Sequence, residues 1–189
     1  MTASRVHKHC ATADGRLYLI REAEVTDAAQ LLDHARDILR EPQWSVTELH
    51  EFRSTLEEEE NWIQEFRRKP HSIMLVADVG SPDRSEIVGT VSFTTQSRSR
   101  MRHRGRLGIG VQAPYRGVGI GEALLRALLE WAATEPELER VELSVFAHNT
   151  RAINLYRKLG FTEEGRALRA FKLADGSYYD DIQMVCWVK

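Results

Sequence analysis

Gly117, Gly119 and Gly121 occupy alternate positions between an apolar run that reads as a strand (Leu107, Ile109, Val111), a turn at Pro114, and an amphipathic helix. Glycine lets the backbone take left-handed dihedrals and approach a ligand closely. The first turn of the helix that follows carries N–H donors without intrahelical partners and the positive end of the dipole, so this loop suits a phosphorylated ligand. Two phosphate motifs are excluded by the residues themselves. A P-loop needs Gly-Lys-Ser/Thr, but Gly121 is followed by Glu122 and Ala123. A dinucleotide fingerprint needs its third glycine at position 122, where Glu122 stands. The pattern that is filled is Arg/Gln-x-x-Gly-x-Gly/Ala, by Arg116, Gly119 and Gly121.

A second segment, residues 141–161, carries its own chemistry. Val141, Leu143 and Val145 alternate as in a strand. Asn149 is placed to cap the helix that follows, where Ala152, Leu155, Tyr156 and Leu159 share a face and Gly160 ends it. Asn-x-x-Ala-x-x-Leu-Tyr-x-x-x-Gly-Phe, about thirty residues after the glycine loop, completes a pair. Together the two segments resemble the cofactor motifs of the GCN5-related N-acetyltransferases (the GNAT family).

The resemblance implies that acetyl-CoA is the co-substrate. Its pyrophosphate would lie on the loop of Arg116, Gly117, Val118, Gly119, Ile120 and Gly121. Asn149 would bond the pantetheine arm, and Tyr156 would protonate the departing thiolate. The strand before the loop would splay from its neighbour, with pantetheine bonding the peptide groups of Ile109, Gly110 and Val111. Gly108 and Gly110 in that strand suit either a close backbone approach or relief of a packing clash. The implied reaction is direct acetyl transfer to a primary amine of a small molecule or amino acid. Acetylation of a protein α-amino terminus, as in the ribosomal-protein branch, and a non-catalytic coenzyme A sensor are the alternatives.

The sequence departs from the family at one point. Many members carry a carboxylate near the start of the splayed strand, whereas Arg104-Gly105-Arg106-Leu107 has none. The general base is therefore open among His103, His148, Glu142, Glu41 and Glu48. Arginine recurs at positions 98, 100, 102, 104 and 106. In an extended chain these side chains would share one face, either receiving anions or forming a solvated hairpin surface. Asp180, in Asp175-Gly176-x-Tyr178-x-Asp180, is expected to shape the acceptor site or to anchor the last hairpin. Trp44 is read as an acceptor-site rim, with a core role as the alternative.

These residues need a scaffold to position them, and 189 residues suit one domain. Residues 1–15, with His7, His9 and Cys10, show no periodicity and read as a flexible lead-in; 16–189 read as a single domain. Leu17 and Leu19 open a strand. Helices are expected from Thr26 or Asp27 to Leu39, broken at Pro42, and over Thr47 to Arg68. Strands follow at Ile73–Val79, Ile87–Thr95 and about Arg106–Gln112, with a turn at Gly80-Ser81-Pro82-Asp83. A helix covers about Val118–Thr134. Beyond the second motif, strands are expected at Phe161–Lys172 and Tyr178–Val188 around the Asp175-Gly176 turn. This order implies the α/β (α+β) GNAT fold: a mixed, mostly antiparallel sheet of about seven strands, its fourth and fifth splayed, with about four helices. A net charge of −2 offers nothing to bulk nucleic acid, and no apolar run approaches the ~20 residues of a membrane span. Without a signal-peptide core, and with two cysteines lacking metal-ligand spacing, the expected setting is the cytoplasm, without a metal; a homodimer is left open.

Overall fold

The computed structural model describes residues 6–81 and 84–189, so Pro82 and Asp83 of the expected turn and residues 1–5 of the lead-in lie outside the described residues. One eight-stranded sheet forms the body of the molecule, in the order β1-β2-β3-β4-β5-β6-β8-β7. The strands are β1 His7–Ala11, β2 Leu17–Glu22, β3 Ile73–Asp78, β4 Ile87–Thr95, β5 Arg104–Val111, β6 Arg140–Phe146, β7 Thr162–Lys172 and β8 Tyr178–Trp187. The helices are α1 Ala28–Leu39, α2 Leu56–Arg68, α3 Ile120–Thr134 and α4 Thr150–Lys158.

Strand β3 is apolar at every position from Ile73 to Ala77 because both of its faces are covered. On one face Met74 and Val76 pack with Leu31 of α1 and with Ile63 and Phe66 of α2. On the other, Ile73, Leu75 and Ala77 meet Leu124, Leu128 and Trp131 of α3, in a core that continues to Ile153 and Tyr156 of α4.

Neighbouring strands run antiparallel except β5 and β6, which are parallel and paired only over Arg104–Arg106 and Arg140–Glu142. Beyond Arg106 the two strands part. The functional cleft opens at this splay.

Three expectations are corrected. The sheet's eighth strand comes from the expected lead-in, where His7–Ala11 pairs antiparallel with β2. His-Lys-His-Cys-Ala offers no apolar alternation; it is an edge strand held by backbone pairing. The turn after it donates the Ala13 N–H to the Val118 carbonyl at 2.9 Å, so this segment helps hold the glycine loop. The second helix begins at Leu56 rather than Thr47. Thr55 caps it, its hydroxyl accepting from the Glu58 N–H while the Glu58 carboxylate accepts from the Thr55 N–H. Leu49, ahead of the helix, and Leu56, at its first position, are exposed. Finally, the alternating arginines do not share a strand: Ser99–Met101 is a 3-10 turn, and only Arg104 and Arg106 lie in β5.

Candidate active site

The parting of β5 and β6 leaves a cleft of about 710 Å³. Of the residues expected at the cofactor site, Ile109, Gly110, Val111, Arg116, Gly117, Val118, Gly119, Gly121 and Asn149 line it, as does Tyr156. Ile120 does not. It is 1% exposed, with its side chain packed into the core beneath α3.

The glycine loop is shaped as its composition requires. Gly117 and Gly119 have φ of 84° and 101°, the left-handed region that side chains resist. Gly119 is the N-cap of α3, and the first helical bond runs from the Ala123 N–H to its carbonyl. The N–H groups of Ile120, Gly121 and Glu122 precede that bond and are the orphan donors of the helix start. This is a cradle for an anion.

Arg151 adds a cation that the sequence reading missed. It lines the cleft, and its Nη2 is 3.6 Å from where a Cβ on Gly117 would stand. A signal existed: a basic residue in the first turn of α4 opposes the helix dipole, which an anion beside it would relieve. Arg116 has a different task. Its Nε donates to the Val111 carbonyl at 2.7 Å and its Nη1 to Glu41 at 2.8 Å. The guanidinium thus ties the end of β5 to the α1–α2 connection, and it holds the Glu41 carboxyl below its ordinary range.

Tyr156 is 7% exposed, and burial pushes its hydroxyl up to about 12. At neutral pH it is a phenol, fit to give a proton and unfit to take one. Asn149 caps α4, its Oδ1 accepting from the Ala152 N–H at 3.1 Å. Its amide N–H groups remain for a ligand. Gly110 serves packing and approach alike: a Cβ there would be 3.2 Å from Ile38 and 3.5 Å from His34 of α1. His34 is buried, with Nε2 3.4 Å from the Thr90 hydroxyl and Nδ1 without a partner among the described residues. Burial lowers its pKa to about 4, so it is neutral at pH 7.

None of the five candidate bases lines the cleft. Glu142 is bound by Arg104 and Arg140, Glu41 by Arg116, and exposed Glu48 by His50. His103 sits in the turn before β5, where its carbonyl accepts from Glu139 and Arg140. His148 bonds the Gln43 carbonyl through Nε2 at 3.0 Å. Asp180 is the hairpin anchor, accepting from the Arg169 N–H and the Arg166 guanidinium. Its neighbour Asp181, which the sequence reading passed over, lines the cleft instead, together with Trp44, Phe146 and Phe171. Trp44 is 41% exposed and so belongs to the rim rather than the core.

The chain matches proteins of known kind. A family model described as "Acetyltransferase (GNAT) family" matches residues 32–161. The L-amino acid N-acetyltransferase AaaT of Escherichia coli (strain K12) is 31% identical over 123 residues, 65% of this chain and 73% of that protein. Among solved structures, the acetyltransferase of GNAT family from Streptococcus pneumoniae has a TM-score of 0.83 at 32% identity, covering 90% of this chain and 99% of that one. The ribosomal-protein-alanine N-acetyltransferase of Brucella melitensis has a TM-score of 0.76 at 27% identity, covering 89% and 98%.

Proposed function

Because the chain belongs to the GNAT family of acetyl-CoA-dependent N-acetyltransferases, we propose that it acetylates a primary amine of a small molecule or amino acid by direct transfer. The observation that carries this reading is the set of groups along one cleft. The same cleft is lined by an anion cradle, by a buried phenol, and by aromatic rings with a carboxylate.

Acetyl-CoA, when bound, supplies the acetyl group as a thioester, and the cradle fits its phosphates. The N–H groups opening α3 and the Arg151 guanidinium would hold them. The free edge of β5 from Leu107 to Val111 offers peptide groups to the pantetheine arm. Holding both substrates in one cleft removes much of the entropic barrier of a two-body reaction. The acceptor must shed the ammonium proton before its nitrogen can form the new C–N bond. As the C–S bond breaks, Tyr156 gives its hydroxyl proton to the departing sulfur and recovers one from solvent. The nitrogen loses a second proton as the amide forms, so the net reaction releases one proton. We place this reaction in the cytoplasm, where the free thiols Cys10 and Cys186 are the ordinary state.

The test is a thiol-release assay with acetyl-CoA across amino acids, polyamines, small monoamines and peptides with free N-termini. Turnover concentrated on small amines or amino acids supports the proposal. Turnover confined to peptides would assign the chain to the protein-terminus branch, and coenzyme A binding without turnover on any acceptor would make it a sensor.

A further inference from the structure

The acceptor end of the cleft holds a carboxylate that the protein itself leaves unmatched. Asp181 is 8% exposed and lines the cleft, with no hydrogen bond or ion pair to it among the described residues. Other carboxylates the sequence offered are engaged: Glu142 by two arginines, Glu41 by Arg116, Asp180 by Arg166. A carboxylate that faces a cleft without a counter-charge from the protein is a ready partner for a ligand's cation.

The surroundings of Asp181 suit such a ligand. Asp181 stands directly opposite Phe146 in the β6–β8 ladder, so the two side chains share a face of the sheet. The rings of Phe146 and Phe171 meet edge to face at 5.1 Å, and both line the cleft. Trp44 is steadied at the rim by stacking on His148 at 5.5 Å, and His148 stacks on Phe146 at 5.6 Å. Aromatic faces attract cations through their quadrupole, most strongly where water is excluded. A substrate carboxylate finds no such welcome. Arg116 is already bound to Glu41 and the Val111 carbonyl, and Asp181 repels a negative charge placed directly beside it.

We infer that Asp181, walled by Phe146 and Phe171 and rimmed by Trp44, is the seat of the acceptor's ammonium group and selects acceptors by that positive charge. This rests on the proposed acetyl transfer for its purpose, but its test does not need turnover.

Binding of butylammonium to the coenzyme A-loaded protein is followed by NMR titration, with butanol and butyrate as neutral and anionic probes of like size. Wild-type protein is expected to prefer butylammonium over both. Asp181→Asn keeps the shape and removes the charge, and should weaken butylammonium about tenfold while leaving the coenzyme A affinity unchanged. Phe171→Leu keeps apolar bulk but removes a π-face, and should weaken it about threefold. It carries the test alone should Asp181→Asn not fold. Butanol bound as tightly as butylammonium, or butylammonium affinity unchanged in the variant that folds, overturns the assignment. Loss of coenzyme A binding by the wild-type protein would instead refute the acetyltransferase reading, so the two failures are distinct.

Discussion

The two regions proposed to hold the two substrates are built in opposite ways. The proposed phosphate end is made of backbone, from a loop at 116–121 whose glycines take positive φ and whose N–H groups open α3. The cation proposed to join it from outside the loop, Arg151, lies one helix and one strand further on, at the start of α4. The proposed acceptor end is made of side chains brought from four places: Trp44 between α1 and α2, Phe146 on β6, Phe171 on β7 and Asp181 on β8. A backbone site is specified by local conformation, which glycine spacing writes directly into a few residues. A side-chain site is specified by which strands become neighbours and which way each residue faces. The first is shared across many substrates and the second decides among them.

The difference can be broken experimentally, and the largest effect should come from the phenol that lines the same cleft. Tyr156→Phe should lower kcat by roughly 100- to 10,000-fold with coenzyme A affinity nearly unchanged. Full rate in single-turnover experiments would leave Tyr156 as a packing residue. At the phosphate end, Gly119→Asp should weaken coenzyme A about 100-fold, because it strains a residue with φ of 101° and sets a negative charge against the anion. Gly119→Asn, which tolerates that φ and carries no charge, should lose much less. Space is not the issue, since nothing lies within 4 Å of a Cβ there. Calorimetry on both variants separates charge from strain, and equal affinities for the two would place the phosphates elsewhere.

At the acceptor end, Trp44→Ala should raise the acceptor KM several-fold, roughly threefold to tenfold for one exposed aromatic wall, with little change in the KM for acetyl-CoA. Equal changes in both would mean that Trp44 supports the whole cleft rather than its acceptor rim. The smallest effect concerns His34, which backs β5 beside Gly110. Its folded pKa, about 4, lies below the unfolded value of about 6.5, so the unfolded chain takes up the proton first. The stability from neutral His34 is complete above pH 6.5 and declines as pH falls toward 4. His34→Gln should therefore flatten the fall in Tm between pH 7 and pH 4. A variant as acid-sensitive as the wild type would assign that fall to other groups.

What could be read without coordinates follows the same division. The helices α3 and α4 and the glycine loop were legible because each depends on residues close in sequence with a recognisable period or spacing, whereas the splay was implied only by the family resemblance. Strand β1 was not, because an edge strand of histidine, lysine and cysteine is held by backbone pairing with β2, which leaves no apolar alternation. The start of α2 was misplaced although Thr55 and Glu58 spell a capping box, because the apolar residues upstream, Leu49 and Phe52, extend a helical spacing that the chain does not use.

By itself the sequence determined the family, the order of strands and helices from β2 onward, the glycine loop that opens α3 and the place of Tyr156 on α4, since all of these are written in short stretches of neighbouring residues. Tertiary structure alone decided that Glu142, Glu41 and Asp180 are held by arginines and that Asp181 is not. Asp180 and Asp181 are adjacent and chemically identical in the sequence. Successive residues of a strand point to opposite faces of the sheet, and only the pairing of β8 with β6 and β7 settles which carboxylate meets an arginine and which meets the cleft.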